Sequence, residues 1–398
     1  GKTDSAIAEL ENIASGGSGA LADLALESAH LRKREVDKAL KAIDALEKKQ
    51  PDKPLAPMLR GRVLVLKKDI DGARAQFQKA LAIDKLYFPA VAGLAALDVA
   101  ANKPAEARKH FDELIKAAPG NVPARQALAA LLTRTGHTGD EVARLLTEAV
   151  KQQPNDVRSQ LMLINFHLER RDAKLAITAA REASQVLVDP PEILMALGRA
   201  YLAGNDMQQA VTTFNRLAAT QPNSPQPHLG LADANLALND RSTAARNLQR
   251  ALELEPRLLQ ARRGLVAIAL AEKKPTEALE LAKAVQKDLP NEAVGHVLEG
   301  DVEAFRKNLK GALAAYQQGL KKNSPQEAST RAHNTMVALG QAGEAELFAQ
   351  RWIAEHPQDA IFPFYLADRA LAARDYATAE LRYRQVIQLQ PNNALALN

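Results

Sequence analysis

Paired histidines one helical turn apart, glycine-rich loops and clustered carboxylates are the patterns that would mark a metal centre, a phosphate loop or an acid–base pair in this chain. Its eight histidines, His30, His110, His137, His167, His228, His296, His333 and His356, are scattered, and no two have the i, i+4 spacing that places two imidazoles on one helix face. Gly16-Gly17-Ser18-Gly19 is the only glycine-rich stretch. It lacks the lysine and Ser/Thr of a phosphate loop and has no preceding strand, so it reads as a loop between repeats. Carboxylates are spread along the chain rather than clustered, and spacing alone proposes no Ser-His-Asp order. No metal, cofactor or catalytic residue is therefore nominated, and the chain reads as non-enzymatic.

The bulk composition narrows the remaining classes. Cysteine is absent, which excludes disulfides and thiolate metal sites. The formal charge of +5 comes from 52 basic and 47 acidic residues that are interleaved, and the densest basic stretch, Arg32-Lys33-Arg34, is followed at once by Glu35 and Asp37. That is a solvated helix face, so no nucleic-acid partner is expected. No run of 18 apolar residues occurs, so no transmembrane segment is expected.

What remains is surface chemistry, and its placement depends on the elements beneath it. Alanine, leucine and long polar residues dominate while Val-Ile-Thr clusters are scarce, which favours helix throughout. Prolines at Pro51, Pro119, Pro154, Pro222, Pro256, Pro290, Pro357 and Pro391 fall on a lattice of 34 residues with single-residue slips. A small residue lies twelve positions before each node: Ala39, Ala73, Ala107, Ala176, Ala210, Ala244, Ala278, Ala312, Ala345 and Ala379, with Ala143 one place off register. Four residues later stands a larger one in most units, such as Ile43, Phe77, Phe111, Phe214, Leu248, Tyr316 or Tyr383. A small residue lets two antiparallel helices approach, its i+4 neighbour fills the space on the same face, and proline stops the second helix. Gly61, Gly198 and Gly300 stand twelve residues before three of these alanines, where the partner helix must be equally small.

The expected fold is therefore all-α: a solenoid of about eleven helical hairpins over residues 20–391. Residues 1–19 are expected to be the second helix and junction of a truncated repeat, and 392–398 the start of a further helix. Together they would form one continuous array cut from a longer protein. Small-residue, aromatic and proline positions such as Leu197, Gly198, Tyr201, Ala210, Phe214 and Pro222 resemble the tetratricopeptide repeat, and the resemblance spans the chain.

In such an array the first helices of the hairpins line a concave groove, where a protein or peptide partner would bind. Eleven residues before the marker alanines runs a column containing Arg62, Asn165, Arg199, Asp233, Asp301, Asn334 and Asp368. Arginines there could grip carboxylates bidentately, and the aspartates would favour basic segments. The bland reading is an ordinary solvated helix face. The lysine that a carboxylate clamp requires four residues before an asparagine is replaced by Leu161 and Thr330. A second candidate is aromatic, because Trp352, Phe362, Phe364, Tyr365, Tyr376 and Tyr383 fall within 32 residues of a chain that is 4% aromatic. Phe362 and Phe364 are its binding candidates; space-filling between units is the competing reading, above all for Trp352.

The strings Leu298-Glu299-Gly300-Asp301, Ala314-Ala315-Tyr316, Arg351-Trp352-Ile353-Ala354-Glu355-His356-Pro357, Asp375-Tyr376 and Pro391-Asn392-Asn393-Ala394-Leu395-Ala396-Leu397-Asn398 are similar to tetratricopeptide lipoproteins associated with PEP-CTERM and exosortase systems of Gram-negative bacteria. That resemblance implies an extracytoplasmic, lipid-anchored scaffold in exopolysaccharide biosynthesis or export, with its anchor outside this stretch. Two rivals share every repeat feature: a cytoplasmic adaptor or regulatory protein, and the repeat arm of a larger glycosyltransferase-type enzyme.

Overall fold

A computed structural model describes residues 2–16, 20–136, 139–188, 190–391 and 393–397. The chain divides into two compact units, Gly1–Gly204 and Asn205–Asn398. In the first unit α1 (Lys2–Gly16) precedes five helical hairpins: α2 (Leu21–Arg32) with α3 (Val36–Lys49), α4 (Leu55–Leu66) with α5 (Ile70–Ile83), α6 (Phe88–Ala100) with α7 (Pro104–Ala117), α8 (Val122–Arg134) with α9 (Asp140–Gln152), and α10 (Val157–Glu169) with α11 (Ala173–Val186). It closes on α12 (Pro191–Ala203).

The second unit begins with α13 (Met207–Thr220), so the boundary falls in the turn of the sixth sequence repeat. It continues with α14 (Gln226–Ala237) and α15 (Arg241–Leu254), α16 (Leu259–Ala271) and α17 (Pro275–Asp288), α18 (Val294–Phe305) and α19 (Leu309–Gly319), α20 (Gln326–Ala338) and α21 (Ala342–Glu355), and α22 (Ile361–Ala372) and α23 (Tyr376–Leu389), followed by the short α24 (Ala394–Leu397). Among the described residues there is no strand, only an isolated bridge between Glu292 and Asn323. We call the first helix of each hairpin its A helix and the second its B helix.

The turn inside each hairpin is as periodic as the prolines. One residue takes the left-handed conformation at Arg34, Lys68, Asn102, Gly136, Arg171, Asn205, Asn239, Lys273, Lys307, Gly340 and Arg374. A left-handed residue after a helix lets the next amide bond back to the last open carbonyls. Asp69 N–H reaches the Leu64 carbonyl at 3.0 Å, and the amides of Asp172, Asp240 and Asp375 reach His167, Asn235 and Ala370 at 2.9 Å. The same aspartates start the B helix. Their carboxylates accept from the amides of Gly72 at 3.0 Å, Leu175 at 3.1 Å, Thr243 at 2.9 Å and Thr378 at 3.2 Å. Each such cap contributes about 1 kcal/mol, so one residue serves both helix ends. The lattice prolines follow directly on the B-helix C-caps, as Pro51 follows Gln50 and Pro256 follows Glu255, where a missing N–H costs nothing.

Packing follows the expected spacing. Ala39, Ala73, Ala107, Ala176, Ala210, Ala244, Ala278 and Ala312 are fully buried, and Ala345 and Ala379 nearly so. In the fourth hairpin Val142, not Ala143, holds this place: Val142 is buried with Leu146 four residues on, while Ala143 is half-buried. In several hairpins the side chain at the +4 position fills a socket made by glycines. Phe77 lies between Gly61 of its own hairpin and Gly93 of the next, where an added Cβ would stand 2.6 and 2.7 Å from the ring. Gly230 meets Phe214 and Gly264 meets Leu248 in the same way, at 2.5 and 2.7 Å. Real Cβ atoms do not approach so closely, so these glycines are set by close packing of adjacent hairpins.

Candidate functional site on the A-helix faces

The column eleven residues before the marker alanines lies on the A helices, and the two units use it differently. In the first unit Arg62 on α4, Asn165 on α10 and Arg199 on α12 are exposed, while the intervening place on α6 is Ala96. Alanines also stand one turn to either side of it, at Ala92 and Ala100. Around these short side chains three clefts open in succession. The first, about 370 Å³, is lined by Leu31, Arg62, Val65, Leu66, Ile70 and Ala96 among others. The second, also about 370 Å³, shares Ala96 and adds Ala92, Ala127, Leu131 and Arg134. The third, about 340 Å³, shares Ala130 and Arg134 with the second and reaches Met162, Asn165, Phe166 and Glu169 on α10. Val65, Leu66 and Ile70 are exposed large apolar residues, Leu66 at 65%.

Sequence reasoning followed charges along this column and so passed over its alanines, which carry no chemistry of their own. Their spacing at Ala92, Ala96 and Ala100 was the available signal: one helix face with nothing projecting from it.

In the second unit the same face is crossed by polar contacts. Arg263 on α16 makes a two-pronged ion pair with Glu327 on α20, at 3.0 and 2.6 Å. These are A helices two repeats apart, with α18 between them. A guanidinium and a carboxylate can meet over an intervening helix only where the A helices crowd together. On α18, Asp301 accepts a hydrogen bond from the Tyr316 hydroxyl at 2.8 Å and faces Arg331 Nε at 3.3 Å. Withdrawal from water raises the Asp301 carboxyl above its ordinary value despite that bond and the nearby arginines. Tyr316 is raised as well, first by burial and then by the Asp301 charge.

The motif repeats at Asp368, which accepts from the Tyr383 hydroxyl at 2.6 Å, and that bond leads the rise of Tyr383 to about 12. Asn334 accepts from Arg369 at 2.9 Å. Asp233 on α14 keeps exposed atoms, yet crowding by surrounding protein raises its carboxyl too.

In the second unit three members of the expected ladder thus already have partners within the chain. Asp301 and Asp368 spend hydrogen-bonding capacity inside the chain because a tyrosine at the +4 position reaches the column aspartate of its own hairpin, and Asn334 does so toward Arg369. They are not a free row of acceptors. Arg62, Asn165, Arg199, Asp233, Asn334 and Asp368 keep the exposure expected of them, and Asp301 is half-buried.

The aromatic candidate is corrected more sharply. Phe362 is fully buried in a cluster with Ala349 and Trp352, and cannot be a surface anchor. Phe364 is half-buried against Tyr383, ring centres 5.7 Å apart. Phe362 stands seventeen residues before Ala379; the same offset elsewhere gives Ala56, Ala90, Ala261 and Ala328, all at 1% exposure or less, and that column was the missed signal. Trp352 is buried as space-filler, its indole N–H donating to Asp359 at 2.8 Å and its ring stacked on His356 at 3.8 Å.

Several of the scattered histidines have local partners, such as Glu35 for His30 at 2.8 Å and Asp98 for His110 at 2.9 Å, while Nδ1 of His167 and of His296 is buried without a hydrogen bond. His333 pairs with the Tyr365 hydroxyl at 2.9 Å, and burial, aided by the Arg369 charge, lowers its pKa to about 4. His137 and Gly17-Ser18-Gly19 lie outside the described residues. No described helix is long and apolar enough to cross a membrane.

The tetratricopeptide repeat pattern matches residues 64–132 in one form and 24–87, 167–225 and 229–293 in another, together more than half of the chain. This chain is a tetratricopeptide repeat protein. Among solved structures it is similar to the crystal structure of yeast Tom70, at 14% identity over 95% of this chain and 93% of that one, with a TM-score of 0.46. A tetratricopeptide repeat protein from Parabacteroides merdae ATCC 43184 shares 14% identity over 62% of this chain and 97% of its own, TM-score 0.46. MamA shares 16% over 40% of this chain and 93% of its own, TM-score 0.37. A comparison with curated proteins finds no match for this tetratricopeptide repeat chain.

Proposed function

We propose that this tetratricopeptide repeat protein is a scaffold that binds other proteins through its A-helix faces. The observation that carries the reading is the open row of clefts on the first unit, flanked by exposed Arg62 and Arg134. A repeat array holds its fold with the B-helix alanines and their sockets, which leaves A-helix columns free to vary with the partner. The test is affinity capture from cell extract with the intact chain beside an Arg62→Ala, Arg199→Ala, Asp233→Ala variant that melts at the same temperature. A specific protein held by the first and lost from the second supports the reading. Capture of glycan with no protein sinks it.

For the setting, we propose the cell envelope, in exopolysaccharide production or export, with a lipid anchor outside this stretch. Support comes from the strings around Gly300, Trp352 and Pro391 and their similarity to PEP-CTERM-associated lipoproteins. Fractionation of the tagged natural protein tests it: recovery with envelope membranes is expected, and recovery in the cytosol removes the proposal.

A further inference from the structure

We infer that the three clefts of the first unit form one docking trough for an amphipathic helix of a partner protein that carries carboxylates beside its apolar face. This deepens the scaffold reading and rests on it. The clefts are continuous, since Ala96 belongs to the first and second and Ala130 and Arg134 to the second and third. The floor is alanine on α6 and α8, and the wall includes Val65, Leu66 and Ile70, apolar side chains left in water. An apolar occupant removes that surface from water, the largest favourable term available here.

Charge selects the occupant further. Among the described residues, Arg62 and Arg134 have no hydrogen-bond or ion-pair partner, unlike Arg60, which pairs with Asp44, or Arg74, which pairs with Asp98. A guanidinium presents a planar fork that matches a carboxylate. Arg62 and Arg134 belong to A helices two repeats apart, about 20 Å at the usual helix spacing. A phosphate backbone offers charge far more densely than that. Among the described residues Glu169 is the one acidic side chain lining the trough, on α10 in the third cleft, so an occupant's carboxylates are favoured toward Arg62 and Arg134 and disfavoured there.

Geometry favours a helix as occupant. Adjacent clefts are one repeat, about 10 Å, apart, which matches residues i and i+7 on one helix face at 1.5 Å per residue. A β-strand covers the same distance in three residues but turns i and i+3 to opposite sides.

The test is selection of a phage-displayed library of random 16-residue peptides on the intact chain, followed by fluorescence anisotropy on the most enriched synthetic peptide. Enriched peptides are expected to carry apolar residues at i, i+3 or i+4 and i+7 with carboxylates at two points. Ala96 is exposed, so Ala96→Glu folds and should weaken binding at least tenfold. Arg62→Glu with Arg134→Glu should weaken it similarly, and a peptide with lysines in place of its carboxylates should recover binding to that variant. Proline-rich or acid-free peptides, or equal binding to all variants, overturn the inference while leaving a scaffold that binds elsewhere. No enrichment at all also overturns the inference, and the scaffold reading then stands or falls on the affinity capture. A chain that elutes as a dimer and becomes monomeric with Ala96→Glu overturns the partner helix in favour of a second copy.

Discussion

At Ala96 and Ala130 the first unit leaves its A-helix face low and open, whereas at Asp301 and Asn334 the second unit ties the same column to Tyr316, Arg331 and Arg369. The scaffold beneath is alike in both: small buried marker residues, a large residue four positions on in most hairpins, and glycine sockets at Gly93, Gly230 and Gly264. Packing is therefore held by the B helices and the inner edges of the A helices. The exposed A-helix column is free to be apolar and receptive in one unit and internally paired in the other. A partner approaching the second unit must compete with bonds already made.

The largest way to test this division is to cut into the scaffold of each unit. Phe77→Ala in the first and Phe362→Ala in the second each empty a site of under 3% exposure, and each should cost about 3–5 kcal/mol, read from urea midpoints. An unaltered midpoint for Phe362→Ala would return that ring to the surface.

Acid acts on a buried histidine in each unit, most on His333. The His333 pKa is lowered to about 4 in the folded protein, below its ordinary value, so the unfolded chain takes up the proton first. Stability should be unaffected by this group above pH 7, fall as pH drops below about 6.5, and have lost up to roughly 3 kcal/mol by pH 4. His167 is lowered by burial in the first unit, in the same direction. Denaturation curves at pH 7 and 4.5 for the natural chain and His333→Gln give the test; equal pH slopes would remove the effect from His333.

The crossing pair Arg263–Glu327 should contribute only about 1 kcal/mol, since both side chains are more than a third exposed and screened by solvent. A double-mutant cycle with Arg263→Met and Glu327→Gln measures it, and the coupling should shrink in high salt. Smallest, Lys68→Gly and Lys273→Gly relieve left-handed residues in equivalent turns, one per unit, and should each raise stability by about 0.5–1 kcal/mol. A loss in either unit would show that its lysine has another role.

The period of this fold was legible because proline, alanine and the +4 residue repeat at one spacing, and each has a single physical reason to be there. The slip at Val142 was not, since valine also tolerates a close crossing and Ala143 beside it resembles the marker. Site residues were legible only as positions. Arg62 and Asn165 stand exposed where the register put them. Whether a column aspartate is free depends on what stands fifteen residues later, a tyrosine after Asp301 and Asp368 but Leu248 after Asp233. The apolar clefts were invisible to a search for chemistry because they are made by what alanine lacks.

The socket that holds Phe77 against Gly93 has a counterpart with sizes reversed. In the second unit Ala282 and Leu298 share a core, as do Ala349 and Tyr365, each pair again sixteen residues apart. Large meets small at these junctions, but which hairpin supplies the large partner changes along the chain. The hairpins are therefore not interchangeable beads: a copy of the α4–α5 hairpin placed ahead of α18 would set Phe77 against Leu298, two bulky groups in a space made for one. The order of the repeats is written into their joints, and a rearranged array would have to be recut at every seam.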